Sequence, residues 1–462
     1  MGPGTTSLPC SHEPARPLHA KIECKSRLGR CEPRSMRPVT TRGALALAVA
    51  LALAACRESQ DEPLRHVVDA APLARLSNAQ YQSSLRELFA PLEVPPVSLP
   101  AEVEGRGGFR NNVALATASA ALAEAQQRAA MGVAAAVAPD LAALVGCDAE
   151  DSSCLRAIVD ELAPRAWRRP LLASELAIMG EDADAWLASY GFGVAAQLTA
   201  QSMLLAPEFG YLPRIGEPGD GDTRALDPWE LASRLSYFVW IGPPDEALRS
   251  RAANDQLGDH DALVGEVLRM LGDARARRAM AQFHRELFDF DEVGANAIDL
   301  DHHADAFPPF EDPEETGDYY WNEYIPQLRH EPDVFVAEHV LEGDGTLGAL
   351  LTSNRAWVPS GTLQVAYGAN VVRTGRSITW TTYDDAAALG AAYAEPEFAG
   401  EYVEVDLDPS QRAGLFTLAS WLSATAGPRQ PSPVRRGARL LDRLLCRELH
   451  PPGDVPPLEG GA

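Results

Sequence analysis

The sequence predicts a mainly α-helical protein built from several helical units in tandem, and three features carry that reading. Apolar residues recur at three- to four-residue spacing along most of the chain. Capping residues stand directly before several of those runs, and Pro- and Gly-rich stretches separate them.

The first helix starts at Ser77, a capping residue with Gln80 three positions on to return the bond and Leu76 to staple to Tyr81. Tyr81, Leu85, Leu88 and Phe89 form its inward face. After a Pro- and Gly-rich loop at 91–108, the Ala-dominated stretch 113–137 reads as one long helix. Two more follow, Leu155 to Trp167 and Ala173 to Leu187, joined at Arg168-Arg169-Pro170, and Phe192 to Leu205 continues the pattern. Asp227-Pro228-Trp229-Glu230 repeats the start signal, with Leu231, Leu235, Phe238 and Val239 expected inward and Gly242-Pro243-Pro244 as the stop. A further amphipathic stretch covers 264–290, with Leu268, Leu271, Phe283 and Leu287 expected inward. The last helix runs from the cap Ser432 to Cys446.

These signals divide the chain. Residues 1–35 fit no export layout and are expected to be untranslated or disordered, so that Met36 is the expected start. Residues 36–55 read as a lipoprotein signal peptide and 56–71 as a tether. Helical domains are expected over 72–140, 141–215, 216–345 (with a loop-like acidic insertion at 289–318) and 346–457 (with a small insertion at 371–405, richer in Thr, Tyr and Val, where a few strands are expected). Residues 458–462 are a tail.

The run from Gly43 to Ala55 is almost pure Ala, Leu and Val, too short for a stable span but of signal-core length. Arg37 and Arg42 precede it and Leu53-Ala54-Ala55-Cys56 ends it, which makes Cys56 the expected lipid attachment site. Arg57 rather than Asp at the next position points to the outer membrane of a Gram-negative envelope. Removal of residues 1–55 leaves 32 basic against 62 acidic residues, near −30, which disfavours nucleic acid as a partner and leaves the membrane contact to the lipid. Both lysines, Lys21 and Lys25, lie before that cut, so lysine-dependent Schiff-base, phosphate-loop and Ser-x-x-Lys chemistries are excluded from the mature part. In an oxidising envelope Cys147 and Cys154 are expected to close a disulfide, which leaves Cys446 over.

No nucleophile elbow, His-Glu-x-x-His or paired Cys-x-x-Cys occurs. The candidate metal ligands are Asp299, Asp301, His302, His303 and Asp305, where a divalent cation would sit, although their spacing matches no defined loop and a solvated acidic insertion is the simpler account. Glu342-Gly-Asp-Gly345 offers carboxylates or simply a turn. Arg165, Arg168 and Arg169 are candidates for gripping an anion, against pairing with the surplus carboxylates. His284 and His339 stand in helices as candidate bases or ligands, against a structural role. Tyr319, Tyr320, Trp321 and Tyr324 are candidates for stacking on sugar rings, against core packing.

Several stretches together resemble one family. They are Arg75-Leu-Ser-Asn-Ala-Gln-Tyr81, Leu85-Arg-Glu-Leu-Phe89, Gly107-Gly-Phe-Arg-Asn-Asn112, Arg165-Ala-Trp-Arg-Arg-Pro170, Leu205-Ala-Pro-Glu-Phe209, Leu231-Ala-Ser-Arg-Leu-Ser-Tyr-Phe-Val-Trp240, Leu350-Leu-Thr-Ser-Asn354 and Ser432-Pro-Val-Arg-Arg-Gly437. In this order they resemble exported planctomycete and myxobacterial proteins made of tandem domains of unknown function, numbered fifteen-eighty-seven, fifteen-ninety-five, fifteen-ninety-two and fifteen-eighty-eight. Such relatives often continue into a domain with Cys-x-x-Cys-His, which looks like a c-type haem attachment and implies redox work at the envelope. This chain contains no such motif, so haem is expected only through a missing domain or a cytochrome-like partner. The unpaired Cys446 fits a chain cut short. The expected function is that of a scaffold or accessory of an envelope redox system, with a polysaccharide-binding module as the alternative and a metal-dependent enzyme behind it.

Overall fold

The computed structural model describes residues 73–105, 108–147, 149–213, 215–216, 224–290, 293, 298–307, 313–361, 366–368, 371–381 and 399–447. The architecture is mainly α, with one two-stranded and one three-stranded antiparallel sheet.

Strand β1 (Ala74–Arg75) leads into α1 (Asn78–Phe89) through the expected capping box. Ser77 Oγ accepts from the Gln80 N–H at 3.2 Å and Gln80 Oε1 accepts from the Ser77 N–H at 2.9 Å. Helix α2 (Ala120–Val137) starts later than alanine content predicts. Asn112 Oδ1 accepts from the Ala114 N–H at 3.0 Å, and Ser119 Oγ caps the Leu122 N–H at 3.1 Å, so polar side chains bonding locally to the backbone hold 113–119 out of the helix. The Cys147–Cys154 disulfide forms, with Cα atoms 5.6 Å apart, at the start of α3 (Ser152–Trp167). Helices α4 (Ala173–Tyr190) and α5 (Phe192–Leu205) follow, and β2 (Tyr211–Leu212) pairs back onto β1. All of these bury one apolar core that runs from Ala74 to Leu212 and takes in Tyr237.

A second core gathers α6 (Pro228–Val239), α7 (Glu246–Ala253), α8 (His260–Leu271) and the start of α9 (Ala274–Phe288). The stretch read as one segment at 264–290 is thus two helices, broken at Gly272, with Asp273 capping the Arg275 N–H at 2.9 Å. The expected inward face holds at Leu231, Leu235, Val239, Leu271 and Leu287, which are buried or pack against a core, and fails at three residues. Phe238 is 82% exposed, Leu268 65% and Phe283 48%, whereas Ala232, Ser233, Ser236, Ala276 and Ala279 are buried. Close approach of α6 to α9 favours small residues at the contact.

The remaining elements form the third region. Helix α10 (Pro313–Tyr319) occupies part of the stretch expected to be loop, and runs through a π turn (Tyr320–Tyr324) into α11 (Ile325–Val340). Helix α12 (Leu347–Thr352) precedes β3 (Arg355–Pro359). Strands β4 (Val372–Thr381) and β5 (Ala399–Asp406) appear where strands were expected, and the sheet order is β3-β5-β4. Helices α13 (Ala419–Ala424) and α14 (Pro433–Arg439) close the described chain, the latter capped by Ser432 as expected. No helix among the described residues is long and apolar enough to cross a membrane.

Candidate functional site

The residues singled out in the sequence fall in different places. Cys56 lies outside the described residues. Arg168, 2% exposed, donates from Nη1 to the carbonyls of Ala166 (3.1 Å) and Phe209 (3.2 Å), and from Nη2 to those of Glu208 and Tyr211 (2.8 Å for the latter), with its guanidinium 5.6 Å from the Tyr237 ring centre. That is a structural tie between α3 and the Pro207–Tyr211 turn. Arg169 forms a two-pronged bond with Glu175 at 2.8 and 2.9 Å, and Arg165 donates to the Glu87 carbonyl at 3.0 Å. In the acidic insertion, Asp299 accepts from the His302 N–H at 3.0 Å and from Arg429 at 2.6 Å, and the His302 and His303 rings meet edge to face at 4.8 Å. Asp301 and Asp305 are not drawn into a common centre, and no group of three His, Cys, Asp or Glu among the described residues is arranged to hold a metal. Tyr320 is buried and packs with Phe307, Tyr319 and Tyr324, which leaves Trp321, 48% exposed, as the one solvent-facing member of that group. His284 donates from Nδ1 to the Met280 carbonyl at 2.9 Å. Cys446 is free and exposed.

Two clefts stand out among the described residues. The first, of about 310 Å³, lies between α1, the loop 102–111, α6 and α9. Phe109 and Phe283 stack at 5.3 Å on its wall, and the outward Phe238 adds a third ring. Gly108, at φ 85°, brings the loop in: a Cβ there would stand 2.0 Å from Arg443 Nη1 and 2.6 Å from the Glu286 carbonyl, so only glycine fits. The loop is tied down where the Arg110 N–H donates to Glu286 at 3.4 Å. Ile241, at the rim, holds φ 58°, a left-handed conformation that a β-branched residue adopts only under strain of about 1–3 kcal/mol. Glu102, on the floor, has its pKa raised by burial although Arg75 lies 3.1 Å away.

The second cleft, of about 460 Å³, opens between the end of α11, the turn 342–345, α12 and the sheet. It is lined by charge. Glu338 pairs with Arg277 and lies 3.8 Å from Arg376; buried Glu404 accepts from Arg376 at 3.2 Å and from Thr374 Oγ1 at 2.5 Å, with Arg355 3.5 Å away. Asp344 serves the turn, accepting from the Thr346 N–H at 3.0 Å. On the wall, His339 donates from Nδ1 to the Phe335 carbonyl at 2.8 Å and places Nε2 3.0 Å from Ser353 Oγ. Burial holds the His339 pKa below the ordinary histidine value, with Glu338 and Asp344 pulling it up and Arg355 pulling it down. Sequence reasoning missed Ser353, Arg376 and Glu404 as site residues because Ser353 follows the end of α12 and the other two lie on β4 and β5, with no fixed spacing to His339.

Three domain-family models match the chain in order: a protein of unknown function (DUF1587, named PSD3) over residues 74–139, another (DUF1592, named PSD4) over 226–369, and a third (DUF1588, named PSCyt3) over 412–461. These are three of the four domains whose motifs the sequence resembles. The chain belongs to this tandem-domain family. No curated protein and no solved structure matches it. Mapped onto the fold, the aromatic groove is shared by the DUF1587 region, which supplies Gln80, Glu102 and Phe109, and the DUF1592 region, which supplies Tyr237, Phe238 and Phe283. The charged cleft takes His339, Ser353 and Trp357 from the DUF1592 region, and Arg376, Glu404 and Asp406 from the stretch between the second and third matches.

Proposed function

We propose that this chain is an exported, Cys56-anchored accessory of an outer-membrane or periplasmic redox system, and that it docks a cytochrome-like partner on the aromatic groove. The observation that carries the reading is the groove itself. Three phenylalanine rings are gathered at a surface cleft by two different domains, and apolar surface is left open there only at a cost in hydration. Aromatic anchors of this kind supply most of the energy of protein interfaces. The cytochrome-like name of the third matched domain, PSCyt3, supports a cytochrome-linked role and a partner of that class.

The test is purification of the tagged full chain from the envelope of the cells that make it, with haem absorbance read against polypeptide. Haem should co-purify with the wild type and fall at least fivefold in the Phe238→Glu and Phe283→Glu variants. Equal haem in all three, or none in any, would sink the proposal.

A further inference from the structure

The charged cleft shares no lining residue with the aromatic groove and carries a chemistry of its own. We propose that Ser353 and His339 form a nucleophile and base pair that cleaves short acyl esters of uncharged, hydroxyl-rich alcohols, the chemistry of O-acylated carbohydrates.

The pair has the required geometry. Because a carbonyl only accepts, the 2.8 Å bond to the Phe335 oxygen puts the ring proton of His339 on Nδ1. Nε2 is then the bare, basic nitrogen, and Ser353 Oγ stands 3.0 Å from it, within the reach a general base needs. The Arg355 carbonyl, at 3.3 Å, is the more distant acceptor for the same hydroxyl proton. The imidazole is also fixed in orientation, stacked on the Phe335 ring at 4.1 Å. Here the third group that orients the base is a main-chain carbonyl in place of a carboxylate. Ser353 Oγ accepts the Arg355 N–H at 3.1 Å, a bond that strengthens as the oxygen gains negative charge. Both side chains are partly exposed and line the same cleft.

The reaction balances without any co-reactant but water. Ser353 Oγ attacks the acyl carbon while its proton passes to His339 Nε2; the C–O bond to the alcohol breaks and His339 returns the proton to the leaving oxygen. Water then attacks the acyl-serine while giving its proton to the same Nε2; the acyl bond to Ser353 Oγ breaks, His339 returns that proton to Oγ, and the carboxylic acid leaves. Arg355 and Arg376, which face Glu404 on the cleft wall, are the cationic side chains that would turn to the carbonyl oxygen as it becomes negative.

The lining chooses the alcohol. Glu338, Glu342, Asp344, Glu404 and Asp406 outnumber the two arginines, so phosphate esters and other anions are repelled. Those carboxylates, with Asn354 and the arginines, present the mixed acceptors and donors that hydroxyl groups pair with.

A fluorophosphonate probe on the intact wild-type chain, followed by peptide mass mapping, tests the pair without any variant. The probe mass should appear on Ser353, be lost in Ser353→Ala, and form at least tenfold more slowly in His339→Gln. Labelling should rise with pH and level off by neutrality, since His339 must be deprotonated. Acetate release from an O-acetylated xylo-oligosaccharide should exceed the buffer rate at least a hundredfold and vanish in Ser353→Ala. Absence of the probe mass from Ser353 overturns the proposal, and labelling without acetate release overturns the substrate class.

Discussion

The regions at the two ends of the described chain are built on opposite principles. From Ala74 to Leu212 the core is aliphatic and aromatic, Arg168 is spent on backbone carbonyls, and the nearly buried Arg75 and Glu102 pair with each other at 3.1 Å. Around α11 and the three-stranded sheet, His330, Glu331, Asp333, Glu338 and Glu404 are all buried. Asp333 faces both Arg285 and His330 there, the latter at 2.9 Å, and Glu331 accepts from the Tyr367 hydroxyl and from the Ser420 N–H at 2.8 Å. Burying charge gains little stability over a well-packed apolar core. The first region is therefore an apolar helical scaffold, part of whose surface lines the aromatic groove, and the second is held by buried, paired charge.

The contrast can be broken by mutation. The largest effect is expected at Asp333→Asn, which removes the carboxylate that Arg285 and His330 share; breaking a buried pair costs on the order of 3–5 kcal/mol, read from the urea midpoint. Arg168→Ala should follow at about 3 kcal/mol, because several carbonyls lose one donor together. A larger loss at Arg168 than at Asp333 would reverse the comparison. Reducing the Cys147–Cys154 bond should cost about 2–3 kcal/mol from the short loop it closes. Acid sensitivity should sit in the charged region: burial holds the His330 pKa below its ordinary value, so as pH falls below about 6.5 the unfolded chain takes a proton that the folded one refuses. Stability should decline from pH 7 to pH 5, and less steeply in His330→Gln. The smallest effect is expected at Phe238→Ser, under about 0.5 kcal/mol, since that ring is already 82% exposed.

Local signals were legible in the sequence wherever the physics is local. The capping box at Ser77, the Asp227 cap with Pro228 behind it, the helix Phe192–Leu205 and the Cys147–Cys154 bridge all follow from residues a few positions apart. What failed was the choice of helix face. In α6, Val239 is buried and Leu231 and Leu235 pack against the core as the apolar period predicts, but Ala232 and Ser236 take the deepest positions and Phe238 turns outward, which only the neighbouring helix decides. The same error hid the groove, since two of its three phenylalanines, Phe238 and Phe283, had been assigned inward. The charged cleft was half visible: His339 and the 342–345 turn were noticed, whereas Ser353, Arg376 and Glu404 reach them only through the fold of α12 and the sheet. Two arginines of the candidate anion grip proved to be ties, because burial beside carbonyls and carboxylates is a tertiary fact.

The central claim is that the partner sits on the aromatic groove and not elsewhere on the apolar surface. A photo-crosslinking phenylalanine placed at Phe238 tests it most directly, with the same residue at Tyr190, 64% exposed in the scaffold region, as the comparison. On irradiation in the intact envelope, position 238 should yield a haem-staining adduct and position 190 none. Adducts of equal intensity at both positions, or a product at 238 that carries no haem, would contradict the account.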